Sequence, residues 1–64
     1  GYAVRTKRFR YVEWRNIESQ KLLQTELYDH QIDPAENKNV AVNPEYKNVT
    51  DKLSQLIKND FHLD

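Results

Sequence analysis

Glu26-Leu27-Tyr28-Asp29, followed by Asp33-Pro34, Glu36 and Asn39, is the stretch from which the fold is read. Leu27 and Tyr28 are strand formers, and the acids beyond them end the strand and open a turn. Asp33 suits an N-cap, Pro34 the first helical position, and Glu36 the capping-box position three residues on. The expectation is a strand at 26–30 that passes directly into a capped turn at 33–41.

Upstream, residues 2 to 15 are rich in Tyr, Val, Phe and Trp and lack a helical stripe. They read as two strands, 2–6 and 8–15. Alternation puts Tyr2, Val4 and Thr6 on one face of the first, with Ala3 and Arg5 on the other. In the second, Phe9 and Tyr11 share a face opposite Arg8, Arg10, Val12 and Trp14. The turn between them, Thr6-Lys7-Arg8, lacks the Gly, Asn or Asp that tight hairpins favour. Asn16 to Thr25 is polar apart from Leu22-Leu23 and reads as a connection with room for one helical turn.

Downstream, Asn43-Pro44-Glu45 starts a helix at 44–59, with an N-cap, a proline at the first position and an acid at the positive end of the dipole. Tyr46, Val49, Leu53, Leu56 and Ile57 form one apolar stripe, while Lys47, Asp51, Lys52, Gln55 and Lys58 point outward. Asn59 is the expected stop, with Phe61 and Leu63 free to fold back onto the sheet. The fold class is α+β: an antiparallel sheet of about three strands with a C-terminal amphipathic helix across one face.

Sixty-four residues make at most one domain. A chain of this size buries only about 60% of its unfolded surface, so its core is small. There is no cysteine to supply a disulfide or a thiolate metal site. The sequence also contains no methionine, and we read it as a piece of a longer protein. No apolar run approaches the roughly 20 residues of a membrane span. The formal charge is zero, but Arg5, Lys7, Arg8, Arg10 and Arg15 crowd the first 15 residues against Glu13 alone. Such a stretch, interleaved with Phe9, Tyr11 and Trp14, fits either a polyanion or a sheet whose arginines pair with acids further on. A nucleic-acid module would carry net positive charge, and this chain does not.

No catalytic constellation is present. His30 and His62 have neither an i+4 histidine nor a cysteine for metal binding. Ser19, Thr25 and Ser54 lie in polar surroundings with no histidine near them in sequence. Asp29, Asp33 and Glu36 lack the alternating acids and central glycine of a calcium loop, so capping is their expected work. Asn48-Val49-Thr50 has the form of a glycosylation acceptor but falls inside the expected helix.

The order E-L-Y-D-x-x-x-D-P-x-E-x-x-N closely resembles a segment near the C-terminus of sulfatases of the alkaline-phosphatase-like superfamily. Gly1-Tyr2-Ala3-Val4-Arg5-Thr6, Phe9-Arg10-Tyr11 and Glu13-Trp14 resemble the preceding strand pair of that family. The nearest subgroup by this resemblance is the iduronate-2-sulfatase-like one. Related sulfatases often have a turn-forming residue where Lys7 stands. The resemblance implies that residues 1–64 are the small C-terminal subdomain of a larger enzyme hydrolysing sulfate esters of a sulfated sugar. It implies an N-terminal catalytic domain as partner, holding calcium and a formylglycine made within a Cys- or Ser-x-Pro-x-Arg motif. That motif and the calcium-binding aspartate pair are not in this sequence, so the 64-residue chain alone should be inactive. A periplasmic, extracellular or lysosomal location is likewise implied. By the same analogy Arg10 and Trp14 would shape the substrate pocket wall. An independent module binding an anionic polymer, whether sulfated glycan or nucleic acid, is the alternative.

Overall fold

A computed structural model describes residues 1–61. Strands β1 (Tyr2–Arg5), β2 (Phe9–Arg15) and β3 (Leu22–Asp29) form one antiparallel sheet in the order β1-β2-β3. A single 3-10 turn, Pro44–Tyr46, then leads into helix α1 (Lys47–Phe61). This is the expected α+β architecture, and the helix crosses one face of the sheet.

The register sorts the side chains. Val4, Tyr11 and Leu27 are cross-strand neighbours on the inner face, and Ala3, Val12 and Glu26 are neighbours on the outer face. Tyr11, Leu27, Val40, Leu53 and Ile57 make the buried core, with Tyr2, Val4, Phe9, Ala41, Tyr46 and Val49 packed around it. Phe9 meets Tyr46 edge-on, with 6.1 Å between ring centroids. The expected alternation along the first two strands therefore holds.

Thr6 makes the first turn without glycine. Its backbone N–H donates to the Phe9 carbonyl at 2.8 Å, and its hydroxyl accepts from the Arg8 and Phe9 amides. The side chain thus supplies what a special backbone conformation would otherwise provide.

The third strand needs a correction at both ends, because it spans Leu22–Asp29 and not 26–30. The stretch read as connection pairs with the far end of β2, Glu13 opposite Thr25 and Trp14 opposite Gln24, with an irregularity between Trp14 and Arg15. Asn16 closes this hairpin, its side chain accepting from the Glu18 and Ser19 amides and its backbone bonding to Gln20 and Lys21. The first two strands are each slightly shorter than expected, ending at Arg5 and starting at Phe9.

The capped turn exists, but the capping box does not. Asp33 accepts from the Asn37 and Lys38 amides at 2.9 Å each. Glu36 has φ 57°, in the left-handed region, where helical continuation stops. Its carboxylate leaves the turn for Arg10 and His30 instead. Asn39 then lays the chain against β3, its Oδ1 accepting from the Leu27 and Ala41 amides and its Nδ2 donating to the Thr25 carbonyl. Val40, buried by this arrangement, donates its N–H to the Leu27 carbonyl.

Asn43 caps the helical segment as read, in extended conformation and accepting from the Glu45 amide at 3.0 Å. The helix passes Asn59 and reaches Phe61. Leu53 and Ile57 are buried, whereas Leu56 is 43% exposed, at the edge of the stripe and outside the core. The expectations for Leu63 and for the Phe61 side chain lie outside the described residues.

Candidate functional site

The outer face of the sheet, opposite α1, carries a polar-aromatic network. Arg10 and Trp14 both lie there, each two residues from Val12 on β2 and opposite the face of Phe9 and Tyr11. The Arg10 guanidinium makes two hydrogen bonds of 2.8 Å to the Glu36 carboxylate. It also stacks over Tyr28, its carbon 5.1 Å from the ring centroid. Tyr28 donates its hydroxyl proton to Glu26 at 2.6 Å, and the Trp14 indole N–H donates to the other oxygen of Glu26. His30 Nε2 stands 2.6 Å from Glu36. A chain of contacts therefore runs from Trp14 through Glu26, Tyr28, Arg10 and Glu36 to His30.

This arrangement fixes rings and charges on an open surface. Trp14 remains 46% exposed, with Gly1 against one edge of its ring, and Ala3 and Gln24 beside it are exposed. The hydrogen bonds from Arg10 hold the Glu36 carboxyl down at a pKa of about 2, with His30 adding to the effect. Hydrogen bonds from Tyr28 and Trp14 lower that of Glu26. Both acids stay ionised and acceptor-only over the physiological range. Such a face can orient a ligand by ring stacking and by charge, and it has no group poised as a nucleophile.

Two further ion pairs are buried on the carboxylate side. Asp29 is 1% exposed and accepts two bonds of 2.9 Å from Arg8 and one of 2.8 Å from the Tyr46 hydroxyl. These hold its pKa at about 2, with Arg8 the largest cause. Glu13 is fully buried and accepts from Tyr11 and Arg15. Burial works to raise its pKa, but the bonds from Ser54, Tyr11 and Arg15 outweigh it and the carboxyl titrates low.

The basic first quarter is thus largely neutralised from within. Arg8, Arg10 and Arg15 each pair with an acid, while Arg5 and Lys7 are exposed and make no ion pair with the described residues. Glu13, Glu26, Tyr28 and Glu36 are the residues that sequence reasoning did not bring to these faces. The period-2 alternation from Leu27 was the available signal for Glu26 and Tyr28. Nothing local signals the pairing of Arg10 with Glu36.

Among the described residues no group of three or more His, Cys, Asp or Glu side chains is placed to hold a metal ion, and no helix is long and apolar enough to cross a membrane. His62 lies outside the described residues. Asn48 is exposed in the first turn of α1.

The structure gives each named residue of the 26–39 stretch a partner within the fold: Glu26, Tyr28 and Glu36 in the outer network, Leu27 in the core, Asp29 and Asp33 at the turn, Asn39 along β3. Residues 1–62 match the family model described as N-sulphoglucosamine sulphohydrolase, C-terminal. The chain belongs to this family. It is accordingly a C-terminal part of a sulfatase, and its partner is the N-terminal catalytic domain. No curated protein and no solved structure matches the chain.

Proposed function

We propose that this domain packs against the catalytic domain of a sulfatase acting on a sulfated sugar, and that the outer sheet face supplies part of the substrate pocket wall. The observation that carries this reading is the pairing of an exposed indole, Trp14, with an oriented guanidinium, Arg10, on the face the helix leaves open. An indole offers a flat apolar surface to sugar C–H groups, and an arginine clamped by a carboxylate keeps a fixed donor geometry. Residues 1–64 then act as one small domain that buttresses and shapes the site.

The substrate class proposed is an anionic, sulfated sugar. The resemblance of the 26–39 stretch points toward an iduronate-2-sulfate-like ester, and the family description names an N-sulphated glucosamine. Sulfur chemistry belongs, on this reading, to the formylglycine and calcium of the catalytic domain, and the residues of this chain bind and orient. The pairing of Arg8, Arg10 and Arg15 with internal acids, together with zero net charge, argues against a free-standing polyanion-binding module.

Kinetics of the parent enzyme test the proposal. Arg10→Ala or Trp14→Ala should lower kcat/KM far more for an acidic sulfated sugar than for a small neutral aryl sulfate. Equal losses on both substrates would mark a folding defect, and no loss on either would remove these side chains from the pocket.

A further inference from the structure

At the end of the sheet where the β1–β2 turn meets the chain leaving β3, Lys7, Arg8, His30 and Gln31 line an open cleft of about 230 Å³. Its composition is one-sided, with two cations, an imidazole and an amide, and no acid among the lining residues. The nearest carboxylates are already engaged: Asp29 by Arg8 and Tyr46, Glu36 by Arg10 and His30. The charge of Lys7 is therefore left uncompensated among the described residues.

The cleft is also held in shape. Arg8 is fixed by its two bonds to Asp29 and by stacking over Phe9, its carbon 4.9 Å from the ring centroid, yet it remains half exposed. The His30 N–H donates to the Arg8 carbonyl at 2.6 Å, joining the two walls, and the Gln31 N–H donates to Asp29. The His30 ring is tied through Glu36 to Arg10, so the cleft adjoins the Arg10–Trp14 face. A rigid, cation-lined cleft beside an aromatic surface has the chemistry to receive a sulfate or carboxylate group.

We propose that this cleft is a subsite for an anionic group carried by a sugar unit beyond the one whose sulfate is removed. The inference rests on the pocket-wall reading of the outer face and extends it: a polymer lying along Trp14 and Arg10 continues past His30 into the cleft. Lys7 is the long-range attractor, and Arg8, held by Asp29, is the oriented donor.

The test uses the full-length parent enzyme and two oligosaccharides with the same sulfated terminal unit, one carrying sulfate on the next sugar and one without it. The ratio of kcat/KM for the first over the second is the readout. Lys7→Ala should lower this ratio roughly threefold to tenfold, Lys7→Glu should lower it further, and Lys7→Arg should retain it. Lys7 is exposed and unpaired among the described residues, so these changes leave the core intact. The effect should shrink with added sodium chloride as the screening length shortens. An unchanged ratio in Lys7→Glu would overturn the subsite while leaving the pocket-wall reading in place. A wild-type enzyme inactive on both oligosaccharides would overturn that reading first. Inhibition by inorganic sulfate at concentrations as low as those of the longer oligosaccharide, and lost in Lys7→Glu, would assign the cleft to the free ion and overturn the polymer assignment.

Discussion

Arg10 and Glu36 join in two hydrogen bonds of 2.8 Å each, 26 positions apart, and so tie the middle strand to the turn that follows β3. A bidentate pair fixes direction as well as distance. The backbone of Glu36 sits in the left-handed region, and its bonds to Arg10 place the turn beside the outer face.

This pair should make stability acid-sensitive. Glu36 and Asp29 both titrate at about 2 in the folded chain, below their ordinary 4.5 and 3.8. A carboxylate with a depressed folded pKa contributes stability that is full above its unfolded pKa and lost as pH falls through the folded one. The window is therefore from about pH 4.5 down to about pH 2. Glu36→Gln should lower the melting temperature at pH 6, and its deficit against the wild type should narrow by pH 3. A deficit of equal size at both values would show that the ion pair contributes nothing.

The helix should depend on Leu53 far more than on Leu56. Leu53 is 5% exposed and sits in the core, whereas Leu56 is at the edge. Leu53→Ala should cost roughly 2–5 kcal/mol, a large share of the stability of a small domain. Asn43→Ala should cost about 1 kcal/mol through the lost cap. Leu56→Ala should fall near the lower of these. Denaturant midpoints that rank Leu56 above Leu53 would mean that the helix is rotated from the position described.

The buried Glu13–Arg15 pair should be intolerant of losing one partner. Its side chains are 0% and 7% exposed. Arg15→Ala leaves a buried carboxylate with only Tyr11 and Ser54 and should destabilise the domain by roughly 3–5 kcal/mol. Replacing both members with apolar residues should recover much of the loss. A double variant as unstable as Arg15→Ala would place the effect in packing, as read by chemical denaturation.

The 64-residue chain by itself should not hydrolyse a generic aryl sulfate, with or without calcium. Its sequence holds no cysteine and no Ser-x-Pro-x-Arg motif, one of which the proposed formylglycine chemistry requires. Turnover that follows the purified chain through removal of contaminating sulfatases would contradict this.

What the sequence discloses here follows the range of the interactions. The strands, their faces and the Asn43-Pro44 cap are written in short-range alternation and capping chemistry, and the structure reproduces them. The length of β3 is not, because Leu22 to Thr25 become strand only through pairing with Glu13 to Arg15. Asp33 reads correctly as a turn cap, but Glu36 has the spacing of a capping box and a stronger partner in Arg10. Tertiary charge pairing overrides a local motif there. The side on which Arg10 and Trp14 lie follows from alternation alone, and the network that orients them does not.

The claim that the outer face is turned toward the catalytic domain is tested most directly by thiol accessibility in the full-length enzyme. Cysteine is placed at Gln24, exposed beside Trp14 on the outer face, and in a separate variant at Asp51, exposed on the helix. Both are reacted with a bulky maleimide, using cysteine at the same positions of the unfolded protein as reference. Strong protection at position 24 with fast labelling at position 51 is the predicted result. Equal labelling at the two positions, or protection at 51 alone, would contradict it.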